Sequence, residues 1–489
     1  MRSAALGGVA LSVPSVSQGL TKPATVQRSR PNILMICADQ FRADFVGANK
    51  ANPSVRTPNL DALAQRGTNF KHAVCNQPLC SPSRASFLTG VTATEAGIWR
   101  IGQELNHTIP TIATTFKAQG YTTAFMGKWH VTAGERSAER SAKQDALKAG
   151  AENRSLGWVA PGPSRGGFDD LWEGANVIEN VSHPYQGHYW DNGGNDVGFK
   201  DVYRVDFITD RASHFLEQQS AEKPWLLFVS QLEPHQQNDM DEMVPPNRYA
   251  KSYNDAFVPD DLRPLPGNWQ THLPGYYGCV QAIDDCVGKL VATLDRTGQL
   301  NNTVIVFFSD HGCTFQTRLG EYKRSPHDAS LRVPLIFAGP GFDRGTVVDE
   351  IVSLIDLTPT LIDAAAFAVP MNMKGRSLKP LVDSPEARKG WDTTAYIQLS
   401  SAICGRAIRT PEWVYCCYDP TVPHGNAAGS KTYQDFALYS TSGDPHQQVN
   451  LVGREMYRQV CDKLRAELLR RIVANGEPEP VIQPVLFYA

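Results

Sequence analysis

Residues 75–90 read Cys-Asn-Gln-Pro-Leu-Cys-Ser-Pro-Ser-Arg-Ala-Ser-Phe-Leu-Thr-Gly, and the rest of the chain is organised around them. Pro82 suits a first helical position and Gly90 the position just past a helix end, so residues 82–89 are expected to form a short helix. Cys80 then sits at that helix's N-terminus. There, unpaired backbone N–H groups and the positive end of the dipole favour a nucleophile and an anionic group. Arg84 lies one turn further on, on the same face. Taken alone, a Cys-x-Pro-x-Arg run is more often a buried thiol beside a surface arginine than a site.

This run has company. Cys80-Ser81-Pro82-Ser83-Arg84, followed by Leu88-Thr89-Gly90, resembles the signature of type I sulfatases. Gly120-Tyr121-Thr122-Thr123, a short gap and Gly127-Lys128-Trp129-His130 resemble that family's second signature. The resemblance implies that Cys80 is oxidised to formylglycine (3-oxoalanine) by a maturation enzyme, and that the hydrate of this aldehyde is the nucleophile. A thiol or hydroxyl attacking sulfate would leave a stable ester on the enzyme. A geminal diol that attacks with one oxygen can use the other to eliminate sulfate.

Composition bounds the rest. The 489 residues are 42% hydrophobic and 20% charged, enough for one large core plus a smaller domain. Lys plus Arg number 47 against 50 Asp plus Glu, a net charge of -3, which argues against a nucleic-acid binder. No apolar run reaches membrane-spanning length. Ten cysteines in so long a chain do not make a disulfide scaffold. Cys37, Cys279 and Cys286 fall in apolar patterns and read as core thiols, whereas Cys75, Cys416 and Cys417 have no assignment. Residues 1–30 read as an export leader with a short basic start, or as a disordered segment. The first alternative predicts an exported protein.

From Pro31 the chain alternates strands and helices. Four apolar strand-like runs, at 32–38, 122–126, 225–230 and 303–308, each lead into polar residues: Asp39, Lys128 with His130, His235, and Asp310 with His311. In an open α/β sheet, ligands bind beyond the carboxyl ends of the strands, so one shared site is expected. Residues 131–200 form a long insert. It holds a charged, helical piece at 135–148 and the aromatics Trp158, Trp172, Tyr185, Tyr189 and Trp190 among glycines. These suit either stacking on sugar rings or local packing. A boundary near 374–390 separates a catalytic domain, 31–385, from a C-terminal subdomain, 386–489, of short antiparallel strands and a final helix.

The resemblance implies an alkaline-phosphatase-like α/β fold: a large domain with a central mixed sheet flanked by helices, and a smaller C-terminal antiparallel sheet with a helix. It also implies a Ca2+ ion held by Asp39, Gln40, Asp310 and His311 beside the modified Cys80. Hard oxygen ligands fit calcium, while the imidazole admits another divalent ion. Asp39-Gln40 and Asp310-His311 depart from the family's usual Asp-Asp and Asp-Asn pairs and also occur in relatives that cleave phosphate diesters and phosphonates. By the same resemblance Arg84 would hold the formylglycine hydrate, with Lys128 and His130 assisting its ionisation. His235 and Lys323 would grip sulfate oxygens and protonate the leaving alcohol. Arg318, Arg324 and His327 are expected substrate contacts, since extra cations suit a polyanionic sugar. The expected activity is a sulfatase acting on a sulfated carbohydrate or polysaccharide fragment. A phosphodiester or phosphonate monoester hydrolase is the alternative, and a non-catalytic carbohydrate-binding relative a third.

Overall fold

The computed structural model describes Met1 and residues 30–133, 157–220 and 222–488. The expected leader, apart from its two end residues, and the helical piece at 135–148 lie outside the described residues.

Twelve strands build the main sheet. In chain order they are β1 (Asn32–Asp39), β2 (Thr68–Val74), β3 (Thr122–Lys128), β4 (Leu171–Ala175), β5 (Ser182–His183), β6 (Gln186–Trp190), β7 (Asp196–Lys200), β8 (Trp225–Pro234), β9 (Thr303–Ser309), β10 (Arg332–Val333), β11 (Leu335–Ala338) and β12 (Thr346–Ser353). Their spatial order is β10-β2-β11-β9-β1-β8-β3-β4-β6-β5, with β12 beside β2 and β7 beside β6. The centre, β9-β1-β8-β3, is wholly parallel. Every residue of β1 and β8 is buried, as a strand covered on both faces requires.

Alternate residues of β1 feed two cores. Ile33, Met35 and Cys37 join one with Phe87 and Leu88; Leu34, Ile36 and Ala38 join the other with Ile283 and Val287 of the helix Trp269–Arg296. The antiparallel strands β13 (Ala395–Leu399), β14 (Cys404–Arg409), β15 (Trp413–Asp419) and β16 (Thr432–Ser440), with β17 (Val481–Gln483) parallel to β16, form a second sheet. One face of it carries the helix Arg458–Ala474; the other sends Ile397, Leu399, Val414 and Cys416 into the core that holds Phe87. No helix among the described residues is long and apolar enough to cross a membrane.

For the aromatic insert the structure favours local packing over the other reading. Trp172, Tyr189 and Trp190 are fully buried, and Trp158 is half-buried. The segment adds β4 to β7 to the sheet, so its rings cover sheet rather than sugar; Trp172 stacks on Phe125 at 4.6 Å. All ten cysteines, including Cys75, Cys416 and Cys417, are buried and unpaired.

Candidate active site

Because β9, β1, β8 and β3 are neighbours running the same way, their carboxyl ends converge. Asp39 is the last residue of β1. Gln40 follows with φ 70°, a left-handed conformation that a side chain adopts only where its surroundings enforce it. Its N–H donates to Asp310 Oδ1 at 3.2 Å and its Nε2 to Gln236 Oε1 at 2.9 Å, which leaves Gln40 Oε1 buried without a partner. Asp310 and His311 follow β9. His311 Nδ1 donates to the Gly312 carbonyl at 2.9 Å, so the Nε2 lone pair faces the cluster, 3.4 Å from Asp39 Oδ1 and 3.6 Å from Asp310 Oδ1.

The helix Cys80–Thr89 enters this cluster end-on. It starts two residues earlier than Pro82 suggests and closes on Gly90 at φ 70°. All ten of its residues are buried; Phe87 packs edge-on to Phe308, with ring centroids 4.9 Å apart. Ser83 Oγ donates to the Asp310 carbonyl at 2.6 Å, locking the helix to the end of β9. Cys80 Sγ consequently lies 3.2 Å from His311 Nε2, 3.6 Å from Asp39 Oδ1 and 3.0 Å from Lys323 Nζ. One ligand atom each from Asp39, Cys80, Asp310 and His311 lies within 4.8 Å of all the others. Two carboxylates and an imidazole lone pair in a nest this tight fit a divalent cation, and the orphaned amide oxygen belongs to the residue that follows Asp39.

Charge knits the nest together. Arg84 donates from Nε to Asp310 at 3.0 Å, from Nη2 to Asp39 at 3.3 Å, and from Nη1 to the Lys128 carbonyl and Ser230 Oγ. Lys128 Nζ sits between Asp39 Oδ2 at 2.8 Å and Glu179 Oε1 at 3.0 Å. Burial works to raise Asp39, but Lys128 and Lys323 hold its carboxyl well below the usual range. Burial and the Asp39 charge push Asp310 up to about 6. Burial works to raise Glu179 too, and Lys128 holds it down. His130, His235 and His311 are all pushed down by burial, with Lys128 adding to the effect at His130 and Lys323 at the other two. Burial and the Asp39 charge push the Cys80 thiol up to about 11, and a thiol so held is a poor nucleophile near neutral pH.

Above Cys80 opens a cavity of about 240 Å³, lined among others by His130, Glu179, His235, Lys323 and Arg324. His130, at φ 64°, leaves Nδ1 buried and unpartnered. His235 Nδ1 donates to the Gln236 carbonyl at 2.7 Å. Arg324 pairs with Glu321 at 3.1 Å. Of the expected substrate contacts only Arg324 reaches this cavity. Arg318 and His327 line a separate cavity of about 220 Å³ with Arg42, Asp261 and Arg332, where His327 Nε2 meets Tyr439 Oη at 3.1 Å. Sequence reasoning missed Glu179, Ser230 and Gln236. Ser230 and Gln236 flank a segment already singled out, but Glu179 stands in the insert with no motif around it.

Comparisons with known proteins bear on the family. The Sulfatase family profile matches residues 31–367, and a profile described as N-sulphoglucosamine sulphohydrolase, C-terminal, matches residues 320–418. The chain is 29% identical to the ulvan-active sulfatase of Formosa agariphila over 92% of its length and 82% of that protein's. It is 23% identical to the N-acetylglucosamine-6-O-sulfatase of Bacteroides thetaiotaomicron, covering 89% and 85%. Among solved structures, the yidJ protein of Bacteroides fragilis superposes with a TM-score of 0.78 at 23% identity, covering 94% of this chain and 98% of that one. The chain belongs to the sulfatase family, sulfuric ester hydrolases on the alkaline-phosphatase-like fold.

Proposed function

We propose that this chain hydrolyses a sulfate ester on a carbohydrate, with position 80 as nucleophile and Asp39, Gln40, Asp310 and His311 holding a divalent cation, Ca2+ first. The observation that carries the proposal is the buried Asp39, Cys80, Asp310 and His311 cluster at the floor of a small polar cavity. The substrate class rests on similarity: two relatives bear sugar-derivative names, and a C-terminal profile carries another. The leader-like start fits export toward such a substrate.

Formylglycine at position 80 would supply the nucleophilic oxygen. The cation, when bound, screens charge on the sulfate oxygens and draws electron density from sulfur. Arg84, anchored on both carboxylates, fixes the ligand set in place rather than reaching the substrate. Lys323, 3.0 Å from Sγ, is placed to donate a proton to the leaving oxygen. His130 Nδ1 is free to exchange a proton beside position 80. His235, with Nδ1 committed to a carbonyl and burial pushing its pKa down, keeps an Nε2 lone pair that can accept a hydrogen bond from a substrate hydroxyl. Arg324 at the rim suits a second anionic group on the sugar.

The experiment is a screen of matured protein against sulfated algal and animal oligosaccharides beside a small aryl sulfate. Arg324→Ala should raise KM for the oligosaccharide that is cleaved and spare the aryl sulfate, as losing a remote binding contact does. Activity confined to aryl sulfates would refute the carbohydrate assignment. The pairs Asp39-Gln40 and Asp310-His311 favour a second reading, a phosphodiester or phosphonate monoester hydrolase, which a parallel assay with a phosphonate monoester decides.

A further inference from the structure

We propose that Glu179 is a specificity-determining residue that sets the charge the pocket accepts, favouring a monoanionic ester group over a dianionic one and speeding departure of the sulfate ion. The inference rests on the sulfatase reading above.

Two carboxylates outside the ligand cluster line the cavity, Glu321, which pairs with Arg324, and Glu179. Asp39 and Asp310 belong to that cluster; Glu179 does not. It stands on the cavity wall, buried, with Oε1 on Lys128 Nζ at 3.0 Å and Oε2 without a hydrogen-bond partner. A half-satisfied buried carboxylate is costly, and Lys128 already has Asp39 at 2.8 Å. Packing and pairing therefore give Glu179 little reason to be there. What it does supply is charge. Asp39, Asp310 and Glu179 offset Arg84, Lys128 and Lys323, while Arg324 is matched by Glu321.

That balance matters because the reaction changes the charge of its ligand. Hydrolysis takes an ester with one negative charge and a water molecule to a neutral alcohol, a sulfate ion with two negative charges, and a proton. A fixed negative charge on the cavity wall repels the second charge more than it repels the first, so it weakens product relative to substrate. It acts in the same sense against phosphate monoesters, whose second ionisation lies at about 6.

Matured wild type and Glu179→Gln are compared at about pH 8 on p-nitrophenyl sulfate and p-nitrophenyl phosphate, which share a leaving group and differ in charge. Inhibition by inorganic sulfate and by methanesulfonate is measured alongside. In Glu179→Gln, sulfate should inhibit about tenfold more tightly, and the phosphate-to-sulfate ratio of kcat/KM should rise by a similar factor, the size expected of one nearby charge in a protein interior. Methanesulfonate inhibition should hardly move, and Glu179→Asp, which keeps the charge, should restore the wild-type ratios. Equal loss on both esters and both inhibitors would make Glu179 a structural support and overturn the inference. If Glu179→Gln does not fold, Glu179→Ala carries the same comparison, with the same shifts expected and unmoved ratios refuting the inference. Wild type that cleaves no sulfate ester overturns the functional reading; an active wild type with unmoved ratios in the variant overturns only the role of Glu179.

Discussion

Gln40 is held in a left-handed backbone conformation with its amide oxygen buried and unmatched, an arrangement that costs stability unless something binds there. Gln40→Ala should therefore weaken the divalent ion by at least the about 10–100-fold that losing a supporting partner of a metal site costs, read by metal titration and elemental analysis. Asp310→Asn should do so more severely, and a fully active, metal-free wild type would contradict the ligand assignment. At Cys80, peptide mass spectrometry of protein from a competent host should show an aldehyde in place of the thiol. Cys80→Ala should abolish turnover while leaving the thermal midpoint within a few degrees, since a single Sγ contributes little packing. Most of these residues were legible because each ends a strand or starts a helix within a recognisable run. Glu179 was not, because its role depends on a contact with Lys128 across 51 residues that no local pattern encodes. Arg318 and His327 line a different cavity from Lys323, because nearness in sequence says nothing of which side of the 318–329 loop a side chain lies on.

Strands explain why the second signature contains a glycine. Gly127, at φ 106°, pairs with Ser230 on β8, and a Cβ there would fall 2.0 Å from the Ser230 carbonyl oxygen. Gly127→Ala should lose at least the about 1–3 kcal/mol of a strained backbone residue, and should lower activity by displacing Lys128. Gly120→Ala, at φ 85° but with nothing within 4 Å of the added carbon, is the control and should cost less in urea denaturation. The central strands were readable as uninterrupted apolar runs, the pattern that burial on both faces demands. The insert was not. Glycines beside aromatics have the same composition whether the rings meet sugar or sheet, and only the pairing of β4 with β3 shows that Trp172 lies over Phe125.

Across the whole molecule, the two sheets share a core. Gln398 donates its N–H to the Asn76 carbonyl at 2.8 Å, Gln77 Nε2 reaches Ser400 Oγ at 2.7 Å, and Arg409 pairs with Asp328 at 2.9 Å. The C-terminal sheet thus backs the very turn that presents Cys80. A chain ending at residue 385 should fail to fold, because Ile397, Leu399 and Val414 would leave the core around Phe87 open. Calorimetry of the full chain should show one cooperative transition, and two separate ones would refute this coupling. Composition suggested a boundary near residue 385, yet it could not reveal that the second sheet packs into the core of the first. The burial of Cys80, 1% exposed, also sets a clock. The contacts of Cys80 with His311 and Lys323 join residues 231 and 243 positions apart, the kind of long-range pairing that forms late and slowly. Any enzyme that must reach the thiol has only the interval between synthesis and closure, and protein that closes first stays a thiol for as long as it remains folded.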